Sequence, residues 1–229
     1  MLHEHIAEIL ACLSQTDNRA LLLLNNMHTP ALDQLMSAVS DKWIWVPFYA
    51  LLALLLFRQC TWRRATLALL LAILAVAATD QSCATLIRPA IGRLRPTAPD
   101  NPISAFVHTV NGYRGGRYGF PSCHAANTFA LATFMSLYFR RRIATATMFA
   151  WAATVSYSRI YLGVHYPGDV LCGMTIGTLY GASAHYLLFV PIANKTMKAA
   201  INHRTMPLSR KALARPRFAM PLLRKVVGI

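Results

Sequence analysis

Apolar residues in this chain do not alternate with polar ones. They come in long runs separated by short arginine-rich links. Residues 43–57 carry no charge, and Trp43, Trp45 and Tyr49 stand near their start like an aromatic belt at a membrane interface. At roughly 1.5 Å per residue this run is a short span that must borrow flanking residues. Residues 65–87 form a second apolar run, with Asp80 in its last third. Runs at 125–139, 143–157 and 170–192 follow, the last uncharged apart from the titratable His185. The pattern predicts about five transmembrane helices in an all-α, polytopic bundle. Gly173, Gly177 and Gly181 fall every four residues along the last run, so one of its faces can press closely on a neighbour. An acid inside a span is a functional candidate by default. The simpler reading of Asp80 is a helix-end carboxylate paired with a nearby arginine. His185 reads as structural.

The N-terminus has a different pattern. Residues 1–41 hold five of the eight acidic side chains and one arginine, Arg19. The apolar run 21–24 is too short to span, while Ala31, Leu32, Leu35, Met36 and Val39 have helical spacing. These features predict short amphipathic helices. They lie on the membrane surface, pack as a hairpin on the rest of the protein, or do both. The resulting organisation is an interfacial segment at 1–42, a transmembrane domain at 43–192 and a basic tail at 193–229. The tail has no acidic residue and carries Pro207, Pro216 and Pro221. It is expected to be loosely ordered, cytoplasmic and attracted to anionic lipid.

Composition narrows the partners. With 55% hydrophobic and 14% charged residues, the composition argues against an ordinary soluble domain. The net charge of +15 sits between and after apolar runs, which fits anionic lipid surfaces and argues against nucleic acid. Five scattered cysteines without a CxxC pair predict free thiols, with no disulfide framework and no metal site. Glu4 and Glu8 interrupt the N-terminus, so no cleavable signal peptide is expected. Nothing in the composition sets the oligomeric state. The basic links after the first and third spans, together with the tail, fall on one side of a five-span arrangement. The positive-inside rule makes that side cytoplasmic. The outward loop nevertheless carries Arg88, Arg93, Arg95, Arg114 and Arg117, against that rule. A phosphate site there would account for the exception.

Three blocks carry the chemistry: Arg88-x6-Arg95-Pro96, Pro121-Ser122-Cys123-His124 and Ser158-Arg159-x5-His165-x3-Asp169. Arginine forks and a serine hydroxyl suit phosphate oxygens. One histidine can attack phosphorus and another can protonate the leaving oxygen. Asp169 can hold the His165 imidazole in one tautomer. Ser122 is expected to open the third span, whose N-terminus is a ready anion site. Pro167 suits the first turn of the fifth, which puts His165 at a helix mouth. Arg93 and Arg114 are weaker candidates for phosphate contact. Tyr113, Tyr118 and Phe120 are expected to pack the loop, with a lipid head group as their alternative contact.

The blocks resemble the signature K-x6-R-P, P-S-G-H, S-R-x5-H-x3-D of the type 2 phosphatidic acid phosphatase superfamily, which also contains the vanadium haloperoxidases. All spacings match over about a third of the chain. Arg88 stands where the family usually has Lys, and Cys123 where it usually has Gly. The resemblance implies a phosphohistidine at His165, a general acid at His124, and phosphate contacts from Arg88, Arg95, Ser122, Cys123 and Arg159. It implies no cofactor and no metal. The expected substrate is a lipid phosphate or diphosphate at the outer face of a bacterial cytoplasmic membrane, of the undecaprenyl diphosphate, lipid A or phosphatidylglycerol phosphate type. Transfer of the phosphate to another lipid, and a non-enzymatic lipid-phosphate binder or flippase, stand as alternatives. Five apolar spans speak against a soluble haloperoxidase.

Overall fold

The computed structural model describes residues 1–195, and the basic tail from 196 onward lies outside them. Helices α1 (Leu2–Asn25) and α2 (Pro30–Ser40) lead through a 3-10 turn at Lys42–Trp45 into α3 (Val46–Gln59). Helix α4 (Trp62–Gln81) runs on through a π-helical stretch, Ser82–Ile87, into α5 (Arg88–Ile91). After a long loop come α6 (Cys123–Phe139), α7 (Arg142–Tyr161) and α8 (Pro167–Ser183), the last continuing through a second π-helical stretch, Ala184–Phe189. Met1–Pro191 form one compact unit.

Local sequence explains the boundaries. The Thr29 hydroxyl accepts from the Leu32 amide, with Pro30 in the first turn of α2. Gly92, at φ 63°, closes α5 in the left-handed region, where glycine has no Cβ to clash. Helix α6 is buried over most of its circumference and forms the centre of the bundle. The Gly173, Gly177 and Gly181 face of α8 lies directly on it. A Cβ added at these positions would overlap the carbonyl oxygens of Ser122, Ala126 and Ala130 respectively. The four-residue glycine spacing thus brings two backbones together.

Two described helices, Trp62–Ile91 of 30 residues and Pro167–Lys195 of 29, are long and apolar enough to cross a membrane. The bent pair Pro30–Ser40 and Lys42–Gln59, at 66°, makes a third if it counts as one span. Length and composition therefore support two or three spans and do not clearly reach the expected five, because α3 and α6 have only 14 and 17 residues and α7, with 20, is not apolar enough. The outer faces remain apolar: Leu51, Leu54, Leu70, Ile73, Leu171 and Leu179 are each about half exposed or more. Such surface suits lipid rather than water.

The N-terminal pair packs on the bundle through buried polar contacts. Asn25 is fully buried; its Nδ2 donates to the carbonyls of His108 (3.1 Å) and Tyr161 (2.7 Å), and its Oδ1 accepts from the His108 amide at 2.7 Å. Asp33 accepts from the Tyr161 hydroxyl at 2.6 Å. The hairpin reading therefore holds for α2 and the end of α1. Farther back, Ile6, Ile9 and Leu13 on α1 are exposed and leave an apolar face open.

Candidate active site

The residues of the three blocks converge at one end of the bundle, where α5 and α7 end and α6 and α8 begin. The 93–119 loop is pinned beside them by an antiparallel bridge between Leu94 and Tyr118. Its backbone bonds run from the Arg95 amide to the Arg117 carbonyl and from the Gly119 amide to the Arg93 carbonyl, both 2.9 Å. The starts of α6 and α8 are tied directly: the Ser122 amide donates to the Asp169 carbonyl at 3.0 Å. Ser122 caps α6, its hydroxyl accepting from the Ala125 amide at 3.5 Å.

His165 is almost fully buried, in the turn before α8. Its Nε2 lies 3.3 Å from Arg95 Nη1. A guanidinium can only donate, so Nε2 is the acceptor and the ring proton belongs on Nδ1. That nitrogen faces Asp169 Oδ2 at 3.5 Å, too long for a full hydrogen bond. Burial first, and then the charges of Arg95, Arg159 and Arg88, hold the His165 imidazole well below its ordinary pKa. It is therefore neutral at physiological pH, with a lone pair on Nε2, as a nucleophile requires. His124, in the first turn of α6, lies in the field of Arg159, His165, Arg95 and Arg88, which places it in the same cluster.

Arg88, Arg95 and Arg159 have no carboxylate partner among the described residues. Arg95 donates from Nε to the Tyr118 carbonyl (3.1 Å) and from Nη1 to that of Val164 (3.3 Å). Burial, then Arg88 and Arg159, lower its pKa to about 10. Arg159 donates to the Ser40 hydroxyl and, at 3.2 Å, to the Tyr113 hydroxyl. Burial alone would raise the Tyr113 pKa, but this bond and the Arg159 and Arg95 charges bring it below the ordinary value. Arg88 Nη2 donates to the Pro121 carbonyl (3.2 Å) and to Cys123 Sγ (2.8 Å). The Nε atoms of Arg88 and Arg159 are buried without a partner. Three guanidiniums without carboxylate partners beside two histidines make a cluster suited to an anion.

Several weaker expectations change. Arg93 contacts carboxylates rather than an open anion site, donating to Asp169 Oδ1 at 2.7 Å and to Asp17 Oδ2 at 2.6 Å. Arg114 donates to the Thr97 carbonyl, away from the cluster. Tyr113, expected to pack the loop, joins the cluster through Arg159. Asp80 accepts from Asn127 Nδ2 at 2.8 Å, so its partner is an amide rather than an arginine. His185 is buried among the rings of Phe134, Tyr186 and Phe189. Ser40 and Asp17 were not foreseen. Their one sequence signal was the concentration of acidic residues ahead of the spans, which marked the region without naming a contact.

A family model described as the PAP2 superfamily matches residues 65–192, more than half of the chain and all three blocks. The chain belongs to the PAP2 superfamily. This PAP2 chain is 45% identical to the lipid A 4'-phosphatase of Bacteroides thetaiotaomicron, over 80% of this chain and 79% of that protein. It is 35% identical to the lipid A 4'-phosphatase of Porphyromonas gingivalis, over 73% and 70%. The crystal structure of a transmembrane PAP2-type phosphatidylglycerolphosphate phosphatase from Bacillus subtilis superposes with a TM-score of 0.57 at 22% identity, covering 76% of this chain and 84% of that one. Aquifex aeolicus LpxE superposes at 0.52 with 23% identity, covering 72% and 91%. At those identities the two structures speak for the PAP2 fold alone.

Proposed function

We propose that this PAP2 protein hydrolyses the 4'-phosphate of lipid A. The observation that carries the chemistry is the cluster of three arginines, Arg95 and Arg159 buried and Arg88 partly so, none paired with a carboxylate, around His165 and His124. The substrate rests on the two lipid A 4'-phosphatase relatives, with 45% and 35% identity over most of their length. An apolar groove of about 650 Å³ between α3, α4, α6 and α7 supports a lipid substrate. The groove reaches Thr128, whose hydroxyl bonds the His124 carbonyl at 2.8 Å.

In the proposed reaction Arg88, Arg95 and Arg159 neutralise the phosphoryl oxygens, helped by the Ser122 region at the α6 N-terminus. His165 Nε2 attacks phosphorus while Asp169 holds the proton on Nδ1. The bond from phosphorus to the sugar oxygen breaks, and His124 gives that oxygen its proton. Water then attacks the phosphohistidine, returning its proton to His124 and releasing inorganic phosphate. Cys123 lines this site through Arg88. The links at 58–64 and 140–142 lie at the opposite end of the helices, where Cys60 Sγ and the Tyr138 hydroxyl meet at 2.8 Å. Their arginines favour the cytoplasm for that end. The site then faces the periplasm from the inner membrane.

The test is phosphate release by the purified protein in detergent from lipid A, undecaprenyl diphosphate and phosphatidylglycerol phosphate, with the position of loss on lipid A read by mass spectrometry. Loss from the 4' position, absent in His165→Ala, is expected. His124→Ala should fail on the lipid yet retain activity on an ester with a good leaving group, which needs less protonation. Preference for either other lipid would refute the substrate. Equal residual activity of both variants across leaving groups would refute the roles.

A further inference from the structure

We propose that Asp17, on α1, is a positioning residue for this reaction: through Arg93 and the Gly168 amide it fixes the carboxylate of Asp169 and hence the imidazole of His165. The proposal rests on the reading of His165 and Asp169 given above. Asp17 lies far outside the family-matched region, which begins at residue 65.

Asp169 is fully buried and held on both oxygens. Oδ1 accepts from Arg93 at 2.7 Å; Oδ2 accepts from the Tyr166 amide at 3.1 Å and faces His165. Any rotation of the carboxylate moves the group that orients the histidine, so the aim of Asp169 depends on where Arg93 sits. Arg93 is itself fixed from two directions. Its guanidinium lies over the Tyr166 ring at 3.9 Å, and its second terminal nitrogen donates to Asp17 Oδ2 at 2.6 Å. The other oxygen of Asp17 accepts from the Gly168 amide at 2.8 Å, within the first turn of α8 and next to Asp169 in sequence. One carboxylate therefore grips both the arginine that holds Asp169 and the backbone that carries it.

The close approach is specific to this pair of positions. A Cβ at Gly168 would lie 2.7 Å from Asp17 Oδ2, so a side chain there would push the carboxylate out of its present position. The Asp17 side chain is 13% exposed and that of Arg93 26%, which partly shields the pair from solvent and strengthens it. Charge matters as well as shape. Arg93 sits between two carboxylates with both terminal nitrogens engaged. Without Asp17 it would be free to swing toward solvent or toward the anion site, leaving Asp169 buried with fewer donors.

The experiment compares Asp17→Asn and Asp17→Glu in the full chain, each alone and in an Arg93→Gln background, by kcat and KM on lipid A and by thermal midpoint in detergent. Asp17→Asn keeps an acceptor for Gly168 but loses the charge that holds Arg93. Its kcat should fall about tenfold or more, with KM and thermal midpoint nearly unchanged, because misplacement by a fraction of an ångström is costly in rate. Asp17→Glu should recover part of the loss. In the Arg93→Gln background Asp17→Asn should cost almost nothing further, since both changes break one path. A wild-type kcat for Asp17→Asn overturns the proposal. So does a loss of equal size in both backgrounds, or one carried by KM or thermal midpoint, because these mark a structural or substrate-contact role. Failure of the site reading shows separately, as a wild-type rate in His165→Ala.

Discussion

The glycine face of α8 permits a test that separates the integrity of the bundle from the geometry of the site. Gly177→Ala would put a Cβ 2.8 Å from the Ala126 carbonyl carbon and 3.0 Å from its Cα. Ordinary van der Waals contact begins near 3.4 Å. The obstacle is backbone, which cannot turn aside, so α6 and α8 must part by roughly 1 Å, and overpacking of this kind costs about 1–3 kcal/mol. Gly173 and Gly181 meet α6 backbone in the same way, at Ser122 and Ala130. All three alanine variants should therefore destabilise by similar amounts. Their effects on turnover should differ. Separation at Gly173 displaces Ser122 and the α6 start from His165, and a misplacement of about 1 Å can cost about 100-fold in rate. Separation at Gly181, two turns farther along, should be largely absorbed before it reaches the site. The assay is kcat on lipid A beside thermal midpoint in detergent for the three variants. The expected order of rate loss is Gly173→Ala, then Gly177→Ala, then Gly181→Ala. Rate losses that merely track the midpoints, with no dependence on distance from the site, would refute the reasoning.

Two further predictions concern charge. His165 is held neutral well below its ordinary value of 6.5, so the acid limb of kcat/KM that belongs to the nucleophile should lie below that pH; a limb at 6.5 that disappears in no other variant would contradict the burial argument. Arg95 keeps its charge across the working pH range, so its part in the anion site is read by substitution: Arg95→Gln should raise KM for lipid A about tenfold or more, and an unchanged KM would remove Arg95 from the anion site. The two departures from the family pattern touch each other, Arg88 donating to Cys123 Sγ at 2.8 Å. A cycle of Arg88→Lys, Cys123→Gly and the double variant should give a coupling of about 1 kcal/mol, about fivefold in kcat/KM; simple additivity would mean that the contact does not matter.

The parts of this protein that were legible in sequence are those set by local pattern. The glycine spacing of α8 translated directly into contact with α6, because a four-residue repeat maps onto one helix face. The three blocks came together because each sits at a helix end or in the loop between ends. The contacts that sequence did not reveal are side-chain pairings between distant elements. Ser40 beneath Arg159, Asn25 under the loop at His108, and Asp17 on Arg93 have no periodicity to announce them. Tyr113 was misjudged for the same reason: an aromatic in a glycine-rich loop packs by default, and only the position of Arg159 gave its hydroxyl a partner. The number of spans is a different case: two or three helices are long and apolar enough, short of the five expected. Short helices such as α3 and α6 borrow length from their surroundings, and hydropathy along the chain cannot show how much.

The three guanidiniums without carboxylates have a consequence for the end of the catalytic cycle. In the proposed reaction they meet the oxygens on phosphorus and are indifferent to what the phosphorus was attached to. Inorganic phosphate presents the same oxygens as the ester, and in that reaction it would be the last species left at the site once the dephosphorylated lipid had moved away. Binding that is uniform between substrate and product does nothing to lower the chemical barrier. It delays departure instead, so the features that draw the lipid phosphate in also slow the emptying of the site. Turnover in this protein is expected to be paced by release of the anion, and free phosphate in the surrounding medium should act as a competitive brake on it.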